Sequence, residues 1–349
     1  MHLQQRINAF TELGRFLGQF GLEHIKKQEG ILQNDNFFEG MLQLLDTAEH
    51  YNGWFTKKNV QFACKSWYEA LSEKNMHRWV SQYTFSETKP KTVAIIMAGN
   101  VPLVGFHDFL SVLLTGNKVL VKLSSSDTQL LPFLANYLVA IEPAFKEAIS
   151  FSEEKLVNFD AVIATGSNNT ARYFDYYFGK YPHIIRKNRN SVAILTGSET
   201  SEQLEALAND VFRYFGLGCR NVSKIFVPQG YHFDAFFNGM YAWKEIINNN
   251  KYINNYDYNK AVYLMSNLDL LDNEFMLLKQ DEAYASPIAV LFYEYYRDIE
   301  TLTEKLRADS DQIQCIVSED HIQFGAAQSP QLWDYADGVD TVAFLLKLS

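Results

Sequence analysis

The sequence predicts an α/β protein with two doubly wound parallel sheets and a helical segment at its N-terminus. Three observations carry this reading. Short, nearly all-apolar runs recur from Thr92 onward, as expected of strands buried on both faces. Segments of helical period separate those runs, which is the spacing of βαβ units. Residues 1–90 show helical period alone.

Each element has its own warrant. Ile7, Phe10, Leu13, Phe16, Leu17 and Phe20 form the apolar stripe of an amphipathic helix. Phe37 to His50 and Val60 to Tyr83 repeat the pattern, with Asn52-Gly53 as the break between them. Val93 to Met97 is the first buried strand, followed by a helix over Phe106 to Leu114 and a turn at Gly116-Asn117. Lys118 to Lys122 is the second strand, Leu130 to Val139 a helix, and Asp160 to Ala164 the third strand. Beyond Asn190 the alternation restarts. Strands are expected at Ser191 to Leu195, Lys224 to Val227, Ile288 to Phe292 and Gln314 to Val317, with a helix over Ser201 to Phe215. Asn248 to Asn259, rich in Asn and Tyr, reads as an irregular loop. The expected divisions are 1–90 (helical extension packed on the cofactor domain), 91–187 (dinucleotide-binding), 188–330 (catalytic) and 331–349 (tail). No internal repeat is present.

Composition narrows the function classes. A chain of 349 residues with 47% hydrophobic residues can bury a full core without disulfides. Cys64, Cys219 and Cys315 lie far apart, with no metal-ligand spacing, which fits a reducing compartment and predicts no metal site. A net charge of −10 without any long basic stretch argues against nucleic acid as a partner. No signal core opens the chain, and no apolar run reaches the roughly 20 residues of a membrane helix, so a soluble, cytoplasmic protein is expected.

Four segments carry chemistry. In Gly216-Leu-Gly-Cys219, the glycines permit a tight turn that presents a thiol and a backbone N–H to a carbonyl group; a buried, inert cysteine is the alternative. Asn100 and Pro102 follow the first strand at the ligand-binding edge of such a sheet. There Asn100 can donate to an oxyanion or cap the next helix. At the end of the second strand, Lys122, Ser124, Ser125 and Ser126 precede the first acid, Asp127. That pattern permits a 2′-phosphate, as in NADP(H), and is also compatible with a solvated strand end. Gly166 and Ser167 stand where a helix N-terminus either meets a phosphate or is capped in the ordinary way.

The segments Asn-x-Pro, Lys-x-Ser, Thr-Gly-Ser and Gly-x-x-Cys occur here in the order found in the aldehyde dehydrogenase superfamily, which the chain resembles along nearly its whole length. More closely, it resembles the LuxC-type acyl-CoA reductases, which make aldehydes from acyl thioesters. Asn52-Gly53-Trp54-Phe55-Thr56 and the tail from Trp333 to Thr341 carry that closer likeness. The resemblance implies an aldehyde-dehydrogenase-like fold and a Cys219 nucleophile, with Asn100 and the Cys219 N–H as oxyanion donors. It further implies NADPH, with Lys122, Ser124 and Ser125 at the adenosine ribose or its phosphate and Gly166 and Ser167 by the pyrophosphate. Glu282, in a segment one residue out of register with the family's, is the counterpart of a glutamate at the nicotinamide ribose. The implied partner is acyl-CoA or an acyl-carrier protein, and a homo-oligomer is left open.

One departure from the superfamily bears on mechanism. Where hydrolytic relatives keep a water-activating glutamate, this chain has Arg186 in Ile185-Arg186-Lys187-Asn188-Arg189. A guanidinium cannot take a proton from water. The acyl-enzyme is therefore expected to persist until it is reduced, and Glu placed at 186 is expected to speed hydrolysis. A structural role for Arg186, or attraction of an anionic carrier, is the alternative. Two other functions stay open at this point: an aldehyde dehydrogenase using CoA or water, and a non-catalytic acyl-binding subunit. His107, His183, His232 and His321 are candidate proton donors among which the sequence does not choose.

Overall fold

The computed structural model describes residues 1–22, 24–86 and 89–348. The chain divides into two compact units: Met1–Lys187 with Gln331–Ser349, and Asn188–Pro330.

The first unit opens with helices α1 (Leu3–Gly18), α2 (Asn34–Tyr51), α3 (Lys57–Ala70) and α4 (Glu73–Val80). The break at Leu71-Ser72 divides the helical segment expected over Val60 to Tyr83; Ser72 occupies the N-cap of α4 ahead of Glu73. The first sheet and its helices follow as β1 (Thr92–Ile96), α5 (Phe106–Leu114), β2 (Lys118–Lys122), α6 (Leu130–Ile141), β3 (Ile149–Phe151), β4 (Ala161–Thr165), α7 (Asn168–Phe178) and β5 (His183–Arg186). The strands pair in the order β3-β2-β1-β4-β5, and every pairing is parallel.

Strand alternation decides what covers each face. Val93 and Ile95 of β1 join the large core built with the N-terminal helices, α5 and α6, while Ala94 packs with Val162, Ala164 and, from α7, Phe174 and Phe178. The apolar stripe of α1 is fully used: Phe10, Leu13, Phe16 and Leu17 are completely buried. Phe16 stacks on Tyr137 of α6 with ring centroids 4.2 Å apart.

The second unit runs β6 (Asn190–Ile194), α8 (Ser201–Phe212), β7 (Val222–Pro228), α9 (Asp234–Met240), α10 (Asn250–Met265), β8 (Leu270–Asp272), β9 (Leu277–Gln280), β10 (Val290–Tyr296), α11 (Ile299–Ala308) and β11 (Ile313–Val317). Its sheet has the order β11-β6-β7-β10-β9-β8, parallel except for the antiparallel edge strand β8.

The loop expected at Asn248 to Asn259 is instead the first part of α10. Asn249 caps it, its side chain accepting from the backbone N–H groups of Lys251 and Tyr252. Tyr252, Tyr256 and Asn259 form its buried face. Their polar tips are satisfied by the Phe275 carbonyl (3.0 Å), the Asp272 carboxylate (2.7 Å) and the Ile288 carbonyl (2.9 Å). A helix that buries polar residues gives no apolar stripe for periodicity to detect. The strand expected at Ile288 to Phe292 begins later, at Val290, because a turn closes from the Val290 N–H to the Pro287 carbonyl (3.0 Å) and Ala289 is left-handed.

After β11 the chain returns to the first unit, where α12 (Thr341–Leu346) places Val342 and Leu345 in the core beside α5.

Candidate active site

The sequence-predicted residues divide between the two units. Asn100, Lys122, Ser124, Ser125, Gly166 and Ser167 belong to the first; Cys219 and Glu282 belong to the second.

In the first unit, the loops after β2, β1 and β4 share the carboxyl edge of three adjacent parallel strands, where ligands bind in sheets of this kind. Asn100 does not cap a helix: α5 starts at Phe106 and its N-cap is Gly105. The β1 and β2 loops touch so closely that a Cβ on Gly99 would lie 2.6 Å from the Ser124 Oγ. Asn52, 6% exposed, ties them together, its Nδ2 lying 3.2 Å from both the Gly99 and the Ser126 carbonyls. Burial pushes the Asp127 carboxyl up to about 6, against backbone N–H groups of Leu130, Leu103 and Gln129 that pull it down. Asp127 is thus a second tie, since Leu103 belongs to the β1 loop. In the sequence Asn52 marks only a break and part of the subfamily likeness; its clamp depends on partners 47 and 74 residues away.

Lys122 extends from the end of β2 and donates to the Glu154 carbonyl (3.1 Å), with Ser125 exposed beyond it. Ser167 caps α7, its Oγ accepting from the Thr170 N–H at 3.2 Å. The Gly166 N–H reaches the Arg186 carbonyl at 3.4 Å, so local geometry at this turn is that of a capped helix start. The missing side chain of Gly99 is filled by Ser124 and Ser126, and the end of β2 carries no acid before Asp127, so no carboxylate there repels a phosphorylated ribose.

Arg186 resolves toward the structural alternative. Arg186 is 5% exposed and pairs with Asp108 of α5 through Nη2 to Oδ1 (2.7 Å) and Nε to Oδ2 (3.3 Å). It also donates to the Ala336 carbonyl (2.8 Å) and the Thr341 Oγ1 (2.9 Å), fastening the C-terminal tail. The rest of that tail is tied to the N-terminal helices. Arg78 stacks 4.1 Å over Trp333, the Trp79 indole N–H donates to the Tyr335 hydroxyl (2.7 Å), and the Tyr83 hydroxyl donates to Asp340 (2.8 Å). Of the four histidines, His107 is held at the Leu332 carbonyl (2.9 Å) and burial lowers its pKa. His321 meets the Ser318 hydroxyl and His183 the Tyr181 carbonyl.

In the second unit, Cys219 is an exposed thiol on the turn that enters β7. The helix read through Phe215 ends at Phe212, and Tyr214, Phe215 and Gly216 follow in left-handed conformation (φ 54°, 59° and 75°). The turn itself is fastened by Asn221, Ser191 and Arg220, none of which the sequence singled out. The Ser191 hydroxyl donates to the Cys219 carbonyl (2.9 Å) and lies 3.0 Å from the Cys315 Sγ. A small cleft beside the turn is bordered by Phe212, Phe215, Tyr252, Met276 and Ile288.

Glu282 lies elsewhere. After β9 the chain turns back along β7, with the Glu282 carbonyl accepting from the Lys224 Nζ (2.8 Å) and the Tyr284 carbonyl from the Ser223 hydroxyl (2.7 Å). Glu282 is therefore level with the middle of β7, its side chain exposed, and it is Pro287 to Ala289 that borders the cleft with Gly216, Val222 and Ser223. Lys224, fully buried, also pairs with Glu294 (2.5 Å), which Lys305 engages as well. Burial pushes the Lys224 ammonium down from its ordinary value, with Glu294 pulling it back up. Among the described residues no cluster of metal-ligating side chains occurs, and no helix is long and apolar enough to cross a membrane.

This architecture is shared with solved aldehyde dehydrogenases. Aldehyde dehydrogenase 21 of Physcomitrella patens, in complex with succinate, superposes with a TM-score of 0.68 at 12% identity, covering 100% of this chain and 84% of that one. Aldehyde dehydrogenase C of Pseudomonas syringae, with NAD+ and octanal, gives 0.61 at 11% identity, over 91% of this chain and 72% of the other. Among curated proteins, the long-chain acyl-protein thioester reductase of Aliivibrio fischeri is 28% identical over 165 residues. That match spans 41% of this chain and only 33% of the relative's length. Residues 17–235, which hold Asn100, the three loops at the carboxyl edge of the first sheet and the Cys219 turn, match the acyl-CoA reductase (LuxC) family. With more than half of its length in that match and an aldehyde-dehydrogenase architecture, the chain belongs to the acyl-CoA reductase (LuxC) family.

Proposed function

We propose that the protein reduces an acyl thioester, of CoA or an acyl-carrier protein, to the aldehyde by way of an acyl-enzyme on Cys219. The observation that carries this reading is the exposed Cys219 thiol on a clamped turn inside the family-matched segment. The thiolate attacks the thioester carbonyl, and a tetrahedral oxyanion forms. Collapse expels the carrier thiolate, which takes up a proton, and leaves a new thioester on Cys219. The Cys219 backbone N–H and the Asn100 amide are assigned as donors to the oxyanion, and they serve again when the acyl-enzyme is reduced.

NADPH would supply the hydride that converts the acyl-enzyme carbon to the aldehyde level. Lys122, Ser124 and Ser125 are assigned to its adenosine ribose and 2′-phosphate, and Gly166 and Ser167 to the pyrophosphate; Glu282, turned back along β7, is given no place at the other ribose. Hydrolysis is disfavoured because position 186, where hydrolytic relatives of the superfamily carry their base, holds a guanidinium committed to Asp108. The test is to incubate the protein with a fatty acyl-CoA and NADPH and to trap aldehyde with a hydrazine. Aldehyde formed in step with NADPH consumption, and lost in Cys219→Ser, supports the reading. Free acid as the product, or aldehyde from the serine variant, overturns it.

A further inference from the structure

We infer that Asn221 is the positioning residue of the Cys219 turn, fixing the direction of the backbone N–H that meets the oxyanion. The inference rests on the acyl-enzyme reading. Asn221 is 2% exposed, and each part of it is engaged. Its own N–H donates to the Gly218 carbonyl (2.9 Å), and its Oδ1 accepts from the Gly218 N–H (2.8 Å). Its Nδ2 hydrogens are shared among the carbonyls of Asp210 (3.0 Å), Val211 (3.3 Å) and Arg213 (2.8 Å), acceptors that the end of α8 leaves without helical partners.

Peptide planarity converts these bonds into a direction. In a trans peptide the carbonyl and the following N–H point opposite ways. Pinning the Gly218 carbonyl toward the Asn221 N–H therefore turns the Cys219 N–H to the other side of the turn. The next peptide is fixed as well, by the Ser191 hydroxyl on the Cys219 carbonyl.

Asn221 also holds both ends of the strained stretch. Tyr214 and Phe215 sit in the left-handed region, which bulky residues occupy only when the surroundings over-determine it. The amide bonds Arg213 on one side of this stretch and Gly218 on the other. Loss of the Oδ1 and Nδ2 contacts together lets the stretch relax and the Cys219 N–H swing.

Two reactions at the same thiol separate positioning from general damage. Acyl transfer from p-nitrophenyl octanoate passes through an oxyanion; alkylation by iodoacetamide does not. In the full-length protein Asn221→Ala should slow acylation of Cys219 by about 10–100-fold and change alkylation by less than about threefold. Asn221→Asp keeps an acceptor for the Gly218 N–H but faces three carbonyls with a carboxylate. It should lower the unfolding midpoint yet acylate within about tenfold of the parent. A parental acylation rate in Asn221→Ala, or equal losses in both reactions, overturns the inference alone. If the alanine variant does not fold, the aspartate variant decides: acylation lost while alkylation persists overturns it. A parent whose Cys219 alkylates but never acylates overturns the acyl-enzyme reading, and this inference with it.

Discussion

Replacing Arg186 by alanine should destabilise the first unit by about 3–5 kcal/mol, the range for breaking a buried ion pair from one side. The magnitude follows from what the guanidinium leaves behind. Asp108, 6% exposed, would keep a charge with its two Arg186 contacts gone, and the Ala336 carbonyl and Thr341 hydroxyl would each lose a donor. Domain stabilities are about 5–15 kcal/mol, so such a loss is a large fraction of the total. Arg186→Glu should be worse than alanine, since it sets a second carboxylate against Asp108. The hydrolase expected of that substitution from the sequence should therefore not be obtained as a well-folded protein. The assay is urea unfolding followed by tryptophan fluorescence: Trp54, Trp67, Trp79 and Trp333 all lie in this unit, and Trp333 reports the tail directly. Arg186→Met with Asp108→Leu should recover most of the loss, because apolar replacement of a buried pair is often nearly neutral. A change below about 1 kcal/mol for Arg186→Ala, the value of an exposed pair, would refute the reasoning.

Three further outcomes are expected. Cys219→Ser should abolish aldehyde formation while leaving the unfolding midpoint within a few degrees, since the side chain is exposed and close in size; turnover by a folded variant would remove Cys219 from the mechanism. NADPH should bind more tightly than NADH, and Ser125→Glu should reverse that order through repulsion of the 2′-phosphate; fluorescence titration of both cofactors checks it, and a parental preference for NADH would contradict the assignment. Burial pushes the Asp210 carboxyl up to about 7, against the Gly325 and Ala327 N–H groups and Arg220. The unfolded chain ionises near the ordinary value while the folded protein keeps this proton to about pH 7, so the second unit should lose stability as pH rises from about 4 to 7, by at most a few kcal/mol, and level off above. Urea unfolding read through Trp243 between pH 5 and 8 measures this, and a slope undiminished in Asp210→Asn would show that another group is responsible.

Much of the fold was legible because apolar runs announce buried strands. Thr92–Ile96, Lys118–Lys122 and Ala161–Thr165 came from such runs, and α1 from its phenylalanine and leucine stripe. Strands as short as Ile149–Phe151, or ending in a buried charge as His183–Arg186 does, offered too little pattern. The helix Asn250–Met265 was hidden because its buried face is made of hydrogen-bonded Tyr and Asn side chains. In the site, the loops bearing Asn100, Ser124 and Gly166 could be placed at strand ends from the sequence, as could the Cys219 turn. Asn52, Asn221 and Ser191 could not be found this way. Their importance comes from partners far away in sequence, 74 residues for Asn52 and Ser126 and 124 for Ser191 and Cys315, and a polar residue's spacing carries no record of its partner. Arg186 is the converse case: the sequence marked the position as chemically telling, and the Asp108 carboxylate that occupies its guanidinium lies 78 residues earlier.

Intact-protein mass spectrometry of the acyl-enzyme tests the central claim most directly. The full-length protein is mixed with a fatty acyl-CoA in the absence of NADPH, desalted, and then given the cofactor. The account predicts one added acyl mass, mapped by proteolysis to the peptide carrying Cys219. General-base assistance is typically worth about 10²–10⁴ in rate, and without it the label should persist. It should then disappear on addition of NADPH, with an equivalent amount of aldehyde. No covalent label on Cys219, or rapid loss of the label as free acid before the cofactor is added, would contradict it.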